Sequence, residues 1–185
     1  MDLEKAFWLF PPRLVVLIST VDKKGNENLA PHSAVIKLYN NQFLIGAEKE
    51  HDTYRNIIET KEFVLALPTI DLASKIAITA KPFPKGVSEF KEAKLTPLKA
   101  QKVTAPLVKE CIVNFECKLA KELGTVNGEA LLLGSVLTAH YNEKNVTTEV
   151  QTRLSSNVVL HVSKGQVYTT IDGKIVDTKT DYKKV

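Results

Sequence analysis

The stretch Leu14-Val15-Val16-Leu17-Ile18 is apolar at every position and rich in β-branched side chains. A half-exposed strand would show one polar face. This one shows none, so residues 13–21 read as a strand buried on both sides. Asp22-Lys23-Lys24-Gly25 supplies a tight turn after it, with Gly25 free to take positive φ. Further strands are expected at 34–38 and, past the Asn40-Asn41 turn, at 43–47. The short connections predict that these three strands form an antiparallel meander.

The period then changes. Tyr54, Ile57 and Ile58 have the i, i+3, i+4 spacing of one buried helix face over 51–60, with Asp52 or Thr53 as the N-cap. Residues 63–67 return to strand before Pro68, and a second helix over 72–78 ends at Lys81-Pro82. A Lys-rich excursion over 83–102 carries a short helix near 88–93. Alternation resumes at 111–119, where Cys111, Val113, Phe115, Cys117 and Leu119 share a face and Asn114, Glu116 and Lys118 are expected to point away from it. Glu129–Tyr141 is another long strand, and 158–162 is expected to pair with 166–171 through a turn at Ser163-Lys164-Gly165. No internal repeat or low-complexity linker interrupts the 185 residues, a length sufficient for one domain with its own core. The expectation is a single domain over residues 1–185, mainly β: about six to seven antiparallel strands with two or three short helices, closed or nearly closed into a barrel.

Several functions lack their parts. The 25 basic and 21 acidic residues leave a net charge of +4, and no basic block is interleaved with aromatics, which argues against nucleic acid. No apolar run approaches the roughly 18 residues of a membrane span. The N-terminus, Met1-Asp2-Leu3-Glu4-Lys5, does not read as a secretory signal, and two cysteines fit a reducing compartment, so a cytoplasmic protein is expected. Cys111 and Cys117 lie about 20 Å apart along an extended strand, too far for a disulfide, and read as buried structural thiols. The histidines, His32, His51, His140 and His161, have no metal-ligand spacing, so no metal is expected. GxSxG, P-loop and GxGxxG motifs are all missing from the sequence.

Two segments, both read as loops, suit a planar, anionic ligand. Asn28-Leu29-Ala30-Pro31-His32-Ser33-Ala34-Val35 is small and polar, and would leave backbone groups open to the polar edge of a flat heterocycle. Lys49-Glu50-His51-Asp52-Thr53-Tyr54-Arg55-Asn56 opens the first helix, where unpaired N–H groups and the positive dipole end attract phosphate. The Thr53 hydroxyl and one or more of Lys49, His51 and Arg55 would complete such a site; ordinary helix capping is the competing explanation.

These residues also carry a resemblance. Pro12-Arg13 before a hydrophobic strand, then Asp22, Gly25, Asn28, Ala30, Pro31 and Ser33 in the order D-x-x-G-x-x-N-x-A-P-x-S, resemble the opening of flavin reductase-like proteins. The likeness continues through Leu44-Ile45-Gly46, the helix start His51-Asp52-Thr53-Tyr54-Arg55-Asn56, Leu67-Pro68, Ala105-Pro106 and Leu133-Gly134-Ser135-Val136 with His140, covering about residues 8 to 170. It implies a Greek-key split β-barrel that binds FMN, usually as a homodimer. The implied flavin contacts are Asn28, Ala30, Pro31, His32, Ser33, Ala34, Val35 and Gly46, and the implied phosphate contacts are Lys49, His51, Asp52, Thr53 and Asn56. His140 is the implied catalytic, substrate-side residue. The implied activity is hydride transfer from NADH or NADPH to flavin or a ferric complex, with a non-enzymatic electron carrier serving a redox partner protein as the alternative. This chain has His51 where the family usually has lysine. FMN binding is therefore expected to strengthen below about pH 6.5, where an ordinary histidine gains charge.

Overall fold

The computed structural model describes residues 3–7, 9–84, 86–148, 152, 156–163 and 167–170. A short helix, α1 (Leu3–Phe7), precedes β1 (Arg13–Leu14) and β2 (Val16–Val21). There follow β3 (Glu27–His32), β4 (Val35–Lys37), β5 (Gln42–Glu48), α2 (Asp52–Thr60) and β6 (Glu62–Leu67). Helices α3 (Ala73–Thr79) and α4 (Glu89–Glu92) come next, then the two-residue strands β7 (Pro97–Leu98) and β8 (Leu107–Val108). A long hairpin of β9 (Val113–Val126) and β10 (Glu129–Tyr141) follows, and β11 (Leu160–Ser163) and β12 (Val167–Thr169) end the described chain. The main sheet has seven strands in the order β3-β2-β6-β9-β10-β5-β4, and every pairing is antiparallel. Register shifts at three places along β9–β10 are the irregularities that bend a long hairpin, and the sheet curls into a half-barrel.

The apolar run at the start behaves as its composition requires. All six residues of β2 are buried. Val16 and Ile18 face an inner core with Phe43, Ile45, Ile57, Phe63 and Leu132, while Leu17, with Val15, faces an outer core with Leu29, Ile76, Phe90 and Val159. Helix α2 closes the inner side and α3 with α4 the outer side, so each face of β2 has its own cover.

The meander expected from strands 13–21, 34–38 and 43–47 does not form. Residues 27–32, read as a loop, are strand β3 and pair with β2, whereas β4 and β5 pair with each other at the opposite edge of the sheet. The chain crosses from one edge to the other through Ser33 and Ala34, and the Gly46 N–H donates to the Ala34 carbonyl at 2.7 Å. The expected strand 13–21 is also divided at Val15: β1 leaves the main sheet to pair with β11, and β11 pairs with β12. That pairing matches the expected C-terminal hairpin, although Lys164 and Gly165 of its turn lie outside the described residues.

The alternation over 111–119 misplaced three side chains. Cys111 precedes β9 and belongs to the outer core, while Cys117 belongs to the inner one; both are buried free thiols. Asn114 and Glu116 do not reach solvent, because the segment after β7 folds across them. Glu116 is fully buried and accepts backbone N–H groups of Gln101 (2.9 Å), Lys102 (2.5 Å) and Val103 (3.1 Å), with the His140 ring at 2.5 Å. Asn114 accepts from the Val108 N–H at 2.8 Å and donates to its carbonyl at 3.1 Å. A buried carboxylate survives only with such a set of donors. Among the described residues no helix is long and apolar enough to cross a membrane.

Candidate functional site

The first turn of α2 is held against the sheet by amides and hydroxyls. Asn28 Nδ2 on β3 donates to Thr20 Oγ1 of β2 and to Thr53 Oγ1 of α2, both at 3.2 Å, and Asn56 Nδ2 donates to the same Thr20 oxygen at 3.0 Å. Thr20, Thr53 and Asn56 are all buried. Thr53 accepts in this network, so its own O–H hydrogen stays free to be donated elsewhere. The helix is capped differently from the expectation: the N-cap is His51, in extended conformation, and no side chain caps the turn. The first N–H groups of α2 therefore keep their donor capacity.

Beside that terminus lies a cleft of about 670 Å³, within the range of small-molecule sites. Strand β3 and the crossing that follows it contribute Asn28, Ala30, Pro31, His32, Ser33 and Ala34 to its wall; β5 contributes Gly46, and α2 with its cap contributes His51, Asp52 and Thr53. Ten of the implied cofactor contacts are thus brought to one cavity. Three are not. Val35 is half-buried against the inner core, Asn56 lies beneath the helix, and Lys49 turns away to Glu122 (3.5 Å) and the Tyr54 ring (5.6 Å to its centroid). His140 does not line the cleft either; it lies on β10 against Glu116.

Edge strand β3 presents unusual chemistry to its open side. The Leu29 N–H, pointing away from β2, donates to Glu89 Oε2 at 3.1 Å. Two residues on, Pro31 faces the same way and has no N–H to offer. Desolvation pushes the Glu89 carboxyl above its ordinary value and the Asp52 charge adds to this, against the lowering effect of the Glu89 and Leu29 backbone N–H groups. His32 Nδ1 approaches the Gly46 carbonyl at 3.4 Å, and burial, reinforced by the charge of His51, brings the imidazole down to about 4 despite that contact. Gly46 itself has no room for a side chain: an added Cβ would strike the Glu129 carboxylate and come within 2.8 Å of Ala34 Cβ.

The mouth carries both signs of charge. Asp52 is paired with Arg55 at 2.6 Å, the Glu50 carbonyl also accepts from Arg55, and Glu48 lies 3.4 Å from His51. Arg13 and Lys81, across the cleft, have no ion-pair partner among the described residues. Sequence reasoning placed neither Arg13 nor Glu89, Glu48, Glu129, His161 and Tyr168 at the site. Arg13 stood in the quoted Pro-Arg motif, but His161 and Tyr168, with rings 5.8 Å apart, arrive from a hairpin more than a hundred residues away and carry no local signal. Among the described residues no group of three or more His, Cys, Asp or Glu is placed to hold a metal.

Known proteins resemble this chain in sequence and in fold. A protein of Aquifex aeolicus whose own function is uncharacterized is 36% identical over 138 residues, 68% of this chain and 70% of that protein. Another of the same standing, from Archaeoglobus fulgidus, is 28% identical over 165 residues, 88% of this chain and 90% of that one. In three dimensions the chain is similar to nitrilotriacetate monooxygenase component B from Bacillus cereus, with a TM-score of 0.82, 25% identity, and coverage of 95% of this chain and 94% of that one. Flavoredoxin of Desulfovibrio vulgaris shares the fold at a TM-score of 0.77 and 17% identity, over 90% of this chain and 91% of its own. The family described as flavin reductase like domain matches residues 11–166, so the chain belongs to the flavin reductase-like family of split-barrel proteins.

Proposed function

We propose that this chain binds FMN in the cleft between β3 and the α2 N-terminus and passes hydride from NADH or NADPH to flavin. The carrying observation is the convergence, in one cavity, of an uncapped helix terminus with the small residues Ala30, Ser33, Ala34 and Gly46. The donor set fits the cofactor. The first N–H groups of α2, the Thr53 hydroxyl and His51 would hold the phosphate, with Arg13 and Lys81 drawing the anion in. The flat wall from Ala30 to Ala34 would hold the ring, and Gly46 keeps that wall in place.

When bound, FMN supplies the hydride-accepting chemistry, and the protein's contribution is orientation and electrostatics. Backbone and hydroxyl donors around the ring favour the charge that reduction leaves. The reading includes a homodimer of single-domain subunits in the cytoplasm, and it needs no general acid.

The test is an absorption spectrum of the protein after soaking in FMN and desalting, followed by NADH and NADPH oxidation with excess FMN. Flavin bands near one per chain together with turnover support the reading. Flavin retained without turnover points instead to an electron carrier that needs a partner protein, and the absence of both bands and turnover would refute flavin binding.

A further inference from the structure

Most of the titratable groups around the cleft already have a partner. Asp52 is engaged by Arg55, Glu48 by His51, and Glu89 by the Leu29 N–H. At His32, whose ring meets a backbone carbonyl instead of a charged side chain, only one of the two ring nitrogens is used. A carbonyl oxygen can only accept, so the contact between Nδ1 and the Gly46 oxygen requires the hydrogen on Nδ1. Burial keeps the ring neutral, and a neutral imidazole with its proton on Nδ1 has a bare lone pair on Nε2. That nitrogen has no hydrogen-bond partner among the described residues, yet it is not one of the sealed, unsatisfied polar atoms, which are Ser19 Oγ, Ser88 Oγ and Thr170 Oγ1. It is therefore open, and the space beside His32 is the cleft.

We infer that His32 is a fixed hydrogen-bond acceptor in the cleft, and that its Nε2 receives an N–H flanked by a carbonyl: the imide of a flavin ring or the carboxamide of a nicotinamide. The inference rests on the function proposed above and names the residue that reads the heterocycle's polar edge. Its neighbour in the chain suits it to this task. Pro31, before it, has no N–H to compete. A donor in place of this acceptor would face the flavin imide N–H with another N–H and repel it.

Three measurements test it. Long-range proton–nitrogen correlation on histidine-labelled protein at pH 7 should show His32 protonated at Nδ1 and bare at Nε2, with the Nε2 resonance moving when FMN or NADH is added. FMN should bind at least about tenfold more tightly than its N3-methyl derivative, or NADH should show a KM at least about tenfold below that of its 3-acetylpyridine analogue, according to which ligand supplies the N–H. The preference should vanish in His32→Ala and persist in His32→Gln, whose amide carbonyl can accept. Protonation at Nε2, equal binding of both pairs by the unmutated protein, or a preference unchanged in His32→Ala would overturn the inference. Failure of the unmutated protein to bind either natural ligand would instead overturn the functional reading on which it rests.

Discussion

Replacing Gly46 with alanine separates the cleft wall from the fold that supports it. The added Cβ meets two neighbours. The Glu129 carboxylate is the end of a flexible side chain and can swing aside. Ala34 Cβ cannot, because it is fixed to a backbone whose carbonyl accepts the Gly46 N–H at 2.7 Å. Opening that 2.8 Å approach to an ordinary contact of 3.4 Å moves the Ser33–Ala34 crossing by about 0.6 Å toward the ligand space. Overpacking of this kind costs about 1–3 kcal/mol, a fall in Tm of roughly 2–12 °C for a domain of this size. Misplacement of a binding wall by a large fraction of an ångström should weaken FMN by about tenfold or more. Gly134→Ala is the matched control. Its Cβ would strike the ring of Phe63, with Cε1 at 3.0 Å, inside the inner core and away from the cleft. It should lose comparable stability and keep its FMN affinity. Fluorescence titration with FMN and thermal denaturation of both variants decide the matter. An unchanged FMN affinity in Gly46→Ala, or an equal loss in Gly134→Ala, would refute the argument.

Three other outcomes follow from the buried polar groups. Asn56→Ala removes the bond that anchors α2 to Thr20 and should cost about 1–3 kcal/mol in urea denaturation; an unchanged midpoint would show that the network does not hold the helix. Burial raises the Glu116 carboxyl but the Gln101, Lys102, His140 and Val103 donors outweigh it, so its native value lies below the ordinary one, near about 4.3, of the unfolded chain. Its contribution is complete above that pH and is lost as pH falls through the native value, so the stability gap between the protein and Glu116→Gln should shrink on acidification below about pH 4; a constant gap contradicts this. Both cysteine thiols are pushed up to about 12 by burial, so a thiol reagent at pH 8 should label neither in the folded protein and both in denaturant, and rapid labelling of the native state would show otherwise.

The local pattern was legible wherever burial is local. The double-faced run in β2, the bounds of β10 and the helical spacing of Tyr54, Ile57 and Ile58 all follow from which side chains must leave water. Pairing partners were not legible in the same way. Pro31 disguised β3 as a loop because a proline is tolerated only where the strand has no neighbour on that side, which is the edge it occupies. Glu116 looked exposed because strand alternation assigns a residue to a face without saying what covers the face. The cleft was legible mainly through the ordered motif around Asn28, Pro31 and Thr53, and the Arg13, Glu89 and Tyr168 side of it depended on contacts between distant segments.

The crossing at Ser33 and Ala34 joins two edges of one sheet that are neighbours in sequence and far apart in pairing order. Strand β5 finds its other partner only in β10, and β2 reaches β10 only through β6 and β9. The residues around the crossing can be translated early, but the walls cannot come into register until the long hairpin has formed, a search over large loops that slows folding. A ligand seated there meets a surface that exists only once those long-range pairings are made. Its binding free energy should consequently appear in the lifetime of the folded molecule, slowing escape from the native state while leaving the rate of refolding almost untouched.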